Sequence, residues 1–277
     1  MPNRYDKAFG ELRAKGGKAF IPFTVLGWPD EETSFQIIKT MIESGVTCLE
    51  LGIAFSDPVA DGPTIQQASF ATLASGFTVD DAFSLVKRVR ALNDEIPIGL
   101  LVYYNIVLAM GTEKFFERAR ECGADGVLVA DLPVECADEL LPITRKTGIV
   151  PIFIISPMTT EDRINAIVKD AGGFLYLVSR LGVTGTKDRD AERDSRLRTL
   201  IESVHSRSSL PVCAGFGISS PSQARAMIEL GADGVITGSR VIELVSYSSP
   251  SNCVDVLGKY FAEMLAACTP TGAGCQK

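Results

Sequence analysis

The chain has little of what many kinds of functional site need. Its 277 residues include one histidine and one tryptophan, so a metal site or a Ser-His-Asp triad would depend on the single imidazole of His205. The polar stretch around His205 predicts a solvent-facing loop. No run of 18 apolar residues occurs, so no membrane span is expected. Residues 1–7 lack the apolar core of a secretory signal, so none is expected.

Basic residues are outnumbered by acidic ones, with 27 Lys and Arg against 34 Asp and Glu, which gives a formal net charge of −7. Nucleic acid is therefore not an expected partner, because binding to the phosphate backbone needs clustered basic side chains. The seven cysteines are odd in number and include no Cys-x-x-Cys pair. This usage predicts reduced thiols and a cytoplasmic location.

What the sequence does contain is a regular alternation of short apolar runs and longer amphipathic ones. The apolar runs are continuously hydrophobic, as expected for parallel strands covered on both faces. Eight strand–helix units predict a closed (β/α)₈ TIM barrel of the α/β class. Because no Pro- or Gly-rich linker divides the chain, we predict one domain over residues 1–268 and a disordered tail at 269–277. The predicted strands are Ala19–Thr24, Cys48–Ile53, Ile96–Tyr103, Gly126–Ala130, Val150–Ile155, Phe174–Val178, Pro211–Ala214 and Gly234–Thr237. The predicted helices are Glu32–Ser44, Val79–Asn93, Glu113–Cys122, Glu135–Lys146, Glu161–Asp170, Asp194–Val204, Pro221–Leu230 and Cys253–Ala267.

The most informative segment is 49–66, which reads LELGIAFSDPVADGPTIQ. Glu50 is the one ionisable residue of an apolar strand and lies near its C-terminal end, where barrels place their active sites. Burial would raise its pKa and suit it to general acid–base catalysis. The alternative is a structural ion pair, but the neighbouring strands contain no Lys or Arg. Asp61 returns on the following loop as a second acid in a different environment, although Asp-Gly-Pro is also an ordinary turn sequence.

Two glycine-bearing turns predict a phosphate site. Residues 215–217 (Gly-Phe-Gly) follow the seventh strand and precede a helix, and Gly238 and Ser239 follow the eighth strand. Glycines let an anion approach the backbone closely, and helix N-termini offer free N–H groups. Barrels often bind phosphate at these two positions. Ser219 or Ser220 can alternatively be a plain helix N-cap.

The segment 180–189, after the sixth strand, is long, contains glycine and is highly charged. We interpret it as a mobile lid that excludes water when substrate binds; an idle surface loop is the alternative. Tyr176, Phe23 and Tyr103 lie in predicted strands and are candidates for lining the pocket, although aromatic residues in barrel strands more often pack the core.

Together these motifs resemble the tryptophan synthase α subunit family along nearly the whole chain. The resemblance rests on segment 49–66, with support from 19–23 (AFIPF), 129–135 (VADLPVE), 176–185 (YLVSRLGVTG) and 215–221 (GFGISSP). It implies a lyase of tryptophan biosynthesis that cleaves indole-3-glycerol phosphate reversibly into indole and glyceraldehyde 3-phosphate. It also implies no metal or cofactor, because pyridoxal phosphate belongs to the β subunit. The implied assembly is an α₂β₂ heterotetramer in which indole passes to that subunit.

The resemblance implies roles for individual residues as well. Glu50 would protonate the indole ring carbon and handle the proton of the glycerol hydroxyl. Asp61 would accept a hydrogen bond from the indole N–H, and Tyr176 would help to position the reacting groups. The residues implied to contact or enclose the substrate are Phe23, Tyr103, Leu128 and Phe216 around the indole, Gly185, Gly217, Gly238 and Ser239 around the phosphate, and Thr184 in the lid.

Two positions depart from the family's pattern. Ala54 stands where proline is usual, in a loop that contacts the β subunit in the family, so we expect this loop to be looser. Trp28 replaces a commonly acidic residue, and we expect an exposed side chain that marks an interface.

Other functions are also compatible with the sequence. The chain could be a stand-alone lyase that releases free indole, or a non-catalytic barrel that activates a β subunit. The paired acids Glu50 and Asp61 argue against the second, since activation alone needs neither. Another phosphate-binding barrel, such as a sugar-phosphate isomerase or indole-glycerol-phosphate synthase, is possible on fold alone, but such enzymes often need a strand lysine that is lacking here.

Overall fold

A computed structural model describes residues 3–179, 187–249 and 252–269, without the side chains of residues 187–190. Thr184 and Gly185 therefore lie outside the described residues, together with most of the predicted lid. Residues 270–277 of the predicted tail lie outside them too.

Eight parallel strands close into a barrel in sequence order, with the last strand paired to the first. The predicted (β/α)₈ architecture is confirmed, and each predicted strand begins and ends within two residues of the observed one. The strands are β1 (Ala19–Val25), β2 (Leu49–Gly52), β3 (Ile98–Val102), β4 (Gly126–Val129), β5 (Val150–Ile155), β6 (Leu175–Val178), β7 (Val212–Gly215) and β8 (Gly234–Thr237).

The helices surround the barrel and bury their apolar faces against it, as β1 shows by being buried over its whole length. Parallel strands covered in this way need no polar alternation. The described residues form the helices α1 (Arg4–Ala14), α2 (Glu31–Glu43), α3 (Pro63–Ala74), α4 (Val79–Leu92), α5 (Tyr104–Met110), α6 (Thr112–Cys122), α7 (Leu141–Thr147), α8 (Glu161–Asp170), α9 (Lys187–His205), α10 (Pro221–Glu229), α11 (Ser239–Ser246) and α12 (Cys253–Cys268).

The helix predicted over Glu135–Lys146 is wrong in its first half. Val134–Cys136 forms a single 3₁₀ turn, and α7 begins only at Leu141. Pro142 explains the late start, because proline has no N–H to donate and fits an α-helix only in its first turn. Helix α9, in contrast, begins earlier than predicted, at Lys187 instead of Asp194.

A Gly-Ala-Asp-Gly sequence occurs at 123–126 and again at 231–234, and each copy follows a helix. Gly123 follows α6 with φ of 94°, and Gly231 follows α10 with φ of 108°. These left-handed conformations suit glycine, which has no Cβ to clash with the backbone. Each glycine leads the chain directly into the next strand, β4 or β8.

The N-terminal helix α1 closes the bottom of the barrel. Asn3 and Asp6 form a capping box at its start, and the Tyr5 side chain is fully buried among residues that fill the barrel interior. An ion-pair network fastens the helix, because the buried carboxylate of Asp125 accepts hydrogen bonds from Arg4 and Arg90, each at 2.7 Å. The floor of the barrel is thus closed by the packing of α1 and held by the ion pairs of Asp125.

Two single residues differ from expectation. Trp28 was expected to be exposed, but only 8% of it is accessible and it belongs to the main hydrophobic core. His205 was expected in a solvent-facing loop, but it is the last residue of α9, and its Nε2 lies 2.8 Å from a carboxylate oxygen of Asp233. Trp28 therefore does not form the expected exposed surface, whereas His205 is exposed as predicted but lies in a helix and not in a loop.

Within the described part of the chain, none of the helices combines the length and apolarity that crossing a lipid bilayer demands.

Candidate active site

Glu50 lies in β2 with Phe23 of β1 and Gly99 of β3 as its neighbours in register. Side chains alternate along a strand, so Glu50 shares a face with Cys48, which packs in the barrel interior. Only 4% of Glu50 is accessible, and no cation pairs with it among the described residues. Burial, with a smaller contribution from the charge of Asp61, raises the pKa of Glu50 to about 8. At neutral pH this carboxyl group holds a proton that it can donate.

Asp61 lies on the loop between β2 and α3. The hydroxyl of Tyr103 donates to its Oδ2 at 2.9 Å and accepts the backbone N–H of Ala60 at 3.0 Å, which fixes the loop at this point. Burial raises the pKa of Asp61, and the hydrogen bond from Tyr103 partly opposes that shift. Asp61 is therefore a second, less buried acid beside Glu50.

Tyr103 itself is placed behind Asp61. Its ring stacks on Phe55, with 5.1 Å between ring centroids, and it is not among the residues that line the central cavity. Its link to Asp61 supports the loop, and its predicted contact with the indole stays a prediction.

Tyr176, in β6, is buried and faces the same interior as Glu50. Burial, followed by the charge of Glu50, raises the pKa of Tyr176 well above its usual value. Its hydroxyl therefore stays protonated and can act only as a neutral hydrogen-bonding group. The ring of Phe216 meets the ring of Tyr176 edge-on, with 6.1 Å between centroids.

The two glycine turns lie at the mouth of the barrel, as the sequence predicts. Phe216 and Gly217 both have positive φ, 66° and 77°, and the hydroxyl of Ser179 donates to the carbonyl oxygens of Gly215 and Phe216 at 2.6 and 2.7 Å. This hydrogen bonding holds a backbone conformation that is uncommon for a phenylalanine.

Gly238 is the N-cap of α11 and has no side chain to cap the helix. The first N–H groups of the helix, at Ser239 and Arg240, therefore point outward without helical acceptors. Gly238 also packs against β1: a Cβ at this position would lie 3.1 Å from the ring of Phe23. The turn thus combines free N–H groups with a close approach to the barrel wall, a combination that suits an anion.

A cavity of about 350 Å³ opens at the C-terminal end of the barrel and joins these groups in one site. It contains all the predicted catalytic residues and most of the predicted substrate contacts. The predicted residues that line it are Phe23, Glu50, Asp61, Leu128, Tyr176, Phe216, Gly217, Gly238 and Ser239.

Sequence reasoning missed several residues of this cavity. Ile65 and Leu101 add apolar wall, and Gln223 accepts the N–H of Ser219 at 2.8 Å. Arg240 and Glu243 of α11 bring a charged pair to the mouth. Arg240 follows Gly238 and Ser239 directly in sequence, which is the one signal that pointed to it.

The arrangement can transfer protons within an apolar chamber and hold a small anion at its rim. A protonated Glu50 faces the chamber, an ionisable Asp61 stands at its side, and the turns at Gly217 and Gly238 line its rim, the second with the uncapped N–H groups at the start of α11. The described residues contain no group of three or more His, Cys, Asp or Glu side chains placed to hold a metal ion.

Comparisons with known proteins agree with this geometry. The family described as "Tryptophan synthase alpha chain" matches residues 9–268. The tryptophan synthase alpha chain of Methanoregula boonei is 44% identical over 269 residues, covering 96% of this chain and 99% of its own; that of Photobacterium profundum is 41% identical over 267 residues, covering 96% and 98%. The crystal structure of the tryptophan synthase alpha chain from Legionella pneumophila has a TM-score of 0.88 at 32% identity, covering 99% of this chain and 100% of its own. A structure of Mycobacterium tuberculosis tryptophan synthase has a TM-score of 0.86 at 28% identity, covering 98% and 100%.

Proposed function

Because the chain belongs to the tryptophan synthase alpha chain family, and is a lyase that cleaves indole-3-glycerol phosphate, we propose that Glu50, Asp61 and Tyr176 carry this reaction. The observation that supports the assignment best is the raised pKa of Glu50, at about 8, inside a cavity that is also lined by the two glycine turns. The reaction needs one proton delivered to carbon and one taken from oxygen, and a carboxyl group with this pKa can do both in turn.

Glu50 is proposed to act first as an acid. Its carboxyl proton goes to the indole ring carbon that bears the glycerol chain, and positive charge develops on the ring. The resulting carboxylate then takes the proton of the hydroxyl on the adjacent glycerol carbon. The carbon–carbon bond breaks, its electrons return to the ring, and indole and glyceraldehyde 3-phosphate are formed. Glu50 ends as it began, in the protonated state.

Asp61 is proposed to accept a hydrogen bond from the indole N–H and to steady the charge that develops on the ring. A preorganised carboxylate in a site that excludes water stabilises such charge strongly. The Tyr103 hydroxyl supports this role, because it holds one carboxylate oxygen at 2.9 Å and leaves the other available. Tyr176 is proposed to hydrogen-bond the reacting groups from the opposite wall.

The phosphate is proposed to bind between the turn at Gly217 and the start of α11 at Gly238 and Ser239. Backbone N–H groups and the positive end of the helix dipole favour a negative charge there. Leu128, Phe23 and Phe216 are proposed to supply apolar surface for the indole. A contribution of Thr184 and Gly185 in the lid stays a prediction.

The β subunit of tryptophan synthase is the proposed partner, in an α₂β₂ assembly to which indole is passed. The loop between the two acids supports a contact on this face, since 80% of Val59 is accessible there. Reaction rates of the chain with and without a β subunit would test this, because a stand-alone lyase would be fully active alone.

Two further proposals concern the chain as a whole. We propose a cytoplasmic location, supported by six cysteines that are free thiols in the described residues, as in reducing compartments. We also propose that residues 1–268 are one folding unit, supported by the closure of the barrel between β1 and β8 and by the return of α12 onto the first residues of β1. Limited proteolysis would release no stable smaller barrel fragment if this is right.

The decisive experiment is release of indole from indole-3-glycerol phosphate by the purified chain. Glu50→Gln is expected to lower kcat by at least about 10³-fold, since the amide can neither donate nor accept the catalytic proton, while circular dichroism shows an unchanged fold. Glu229→Gln, which removes an exposed carboxylate at the end of α10, is the matched control and should keep full activity. Turnover at the wild-type rate in Glu50→Gln would refute the assignment.

A further inference from the structure

Arg240 occupies an unusual position for a basic side chain. It is the second residue of α11, where the helix dipole places its positive end and a cation is unfavourable. The free N–H groups of the first turn add to the same positive potential. A cation at this position therefore lacks electrostatic support from the backbone of its own helix, and an anion bound beside it would provide that support.

The contact that Arg240 does make is weak. Its Nη1 lies 3.4 Å from Oε2 of Glu243, three residues further along the helix. Both side chains are more than a third accessible, at 40% and 38%, and such exposed pairs contribute little to stability. Arg240 can leave Glu243 at small cost when a stronger anion is present.

Both members of the pair line the same cavity as Glu50, Gly217 and Gly238. Arg240 therefore lies on the chamber that receives the substrate, one residue beyond the predicted phosphate contact Ser239. Guanidinium groups bind phosphate with paired N–H donors and keep their charge at all relevant pH values.

We propose that Arg240 is a binding residue for the phosphate of the substrate, adding a side-chain charge to the backbone N–H groups of the two glycine turns. Glu243 holds the guanidinium when the site is empty and repels phosphate when Arg240 is removed. The pair thus sets the preference of this chain for a dianionic over an uncharged glycerol end. This inference rests on the proposed function, because it assumes that the cavity receives a phosphorylated substrate.

The test measures binding apart from turnover, by calorimetric titration of the full chain with inorganic phosphate and by steady-state kinetics with indole-3-glycerol phosphate. Arg240→Met is expected to raise Kd for phosphate and KM for substrate about tenfold, with a much smaller change in kcat. Arg240→Lys should recover most of the affinity. Arg225→Met, which removes an exposed arginine of α10 that does not line the cavity, is the control and should leave both constants unchanged.

Glu243→Gln separates charge recognition from a structural ion pair. It is expected to lower Kd for phosphate severalfold, since it frees Arg240 and removes a repelling carboxylate. If the pair served only to stabilise α11, Arg240→Met and Glu243→Gln would lower the unfolding midpoint alike and leave phosphate affinity unchanged. That result would overturn the inference.

The outcomes also separate this inference from the proposed reaction. Loss of phosphate affinity in Arg240→Met, in a chain that releases no indole, would uphold the inference and refute the reaction. Normal cleavage together with unchanged phosphate affinity in Arg240→Met would uphold the reaction and refute the inference.

Discussion

The carboxyl group of Glu50 is buried in a strand, and no cation of the described residues pairs with it, so its proton is held by the environment instead of by a partner. Its pKa of about 8, against an ordinary value of 4.5, makes the folded state bind one proton more than the unfolded state between those pH values. The free energy of unfolding must therefore fall as the pH rises through this range. The same burial that equips the group for catalysis costs stability in alkaline solution.

Glu50→Gln is expected to remove this pH dependence. Relative to the variant, the wild type should lose about 1.4 kcal/mol of unfolding free energy per pH unit between pH 4.5 and pH 8. Glu50→Gln should therefore be more stable than the wild type at pH 8, whereas at pH 4.5 the two unfolding free energies should be similar. Denaturant unfolding of both proteins at pH 5, 7 and 9 measures the difference. A difference that stays constant with pH would show that Glu50 is ionised in the fold.

Asp61→Asn is expected to reduce kcat/KM at least about tenfold, or 1.4 kcal/mol. The amide oxygen still accepts the indole N–H, but the negative charge that steadies the ring is gone. Asp57→Asn, four residues earlier on the same loop and exposed to solvent, should change the activity of the isolated chain little. An equal kcat/KM for wild type and Asp61→Asn would show that Asp61 only forms a turn and has no part in the reaction.

At the residue scale the sequence identifies acids better than cations. Glu50 could be predicted because a lone carboxylate in an apolar strand is costly unless it has a role. Arg240 could not, because an arginine in the first turn of a helix has the same local sequence whether it faces solvent or a cavity. The burial of Trp28 was missed for a related reason: local sequence does not reveal that the turn at Gly27 packs against Phe77, where a Cβ would lie 2.6 Å from the ring.

At the scale of elements, strands were predicted well and helices less well. The strands are continuous apolar runs between turn residues, so their pattern is unambiguous. Helix α3 escaped prediction because its apolar residues do not follow one face, and Phe70 and Leu73 remain exposed. A helix held by its neighbours and not by its own amphipathic pattern gives no periodic signal.

Helix ends give a prediction at this scale. Gly123 and Gly148 both end helices in the left-handed region, with φ of 94° and 72°. A Cβ at Gly148 would meet no atom of the described residues within 4 Å, whereas at Gly123 it would lie 2.6 Å from Cγ of Arg90. Gly148→Ala should therefore cost only the conformational strain, about 1 kcal/mol.

Gly123→Ala should cost clearly more, about 2–3 kcal/mol. The added methyl group displaces Arg90, whose Nε donates to the carbonyl of Gly123 at 2.9 Å and whose Nη2 holds Asp125. Thermal or denaturant unfolding of the two variants makes the comparison. Equal losses of unfolding free energy in the two variants would show that the hydrogen bonds of Arg90 rearrange without destabilising the fold.

At the scale of the molecule, Asp125 joins parts of the chain that are far apart in sequence. Its carboxylate accepts from Arg4 of α1, from Arg90 of α4 and from the N–H of Ile98 at the start of β3. Asp125→Asn should destabilise the fold by about 3 kcal/mol, because it leaves buried guanidinium charge without its partner.

Glu95→Gln provides the matched control for this network. Glu95 also binds α1, through Lys7 at 2.5 Å, but both side chains are at least half exposed, so the change in stability should be too small to measure. Chemical denaturation of both variants tests the contrast. A small loss in Asp125→Asn would mean that the floor of the barrel is held by its apolar contacts alone.

The packed floor determines where substrate enters the enzyme and where products leave it. The rings of Tyr5, Phe9 and Phe174 pack in tilted contacts at the lower end of the barrel, so among the described residues the floor is closed and the chamber opens through a doorway at the rim, where the glycine turns lie. Reactant and both products must use that doorway one after another. The phosphorylated product must then leave past the turns that bind its phosphate before the next substrate molecule can enter.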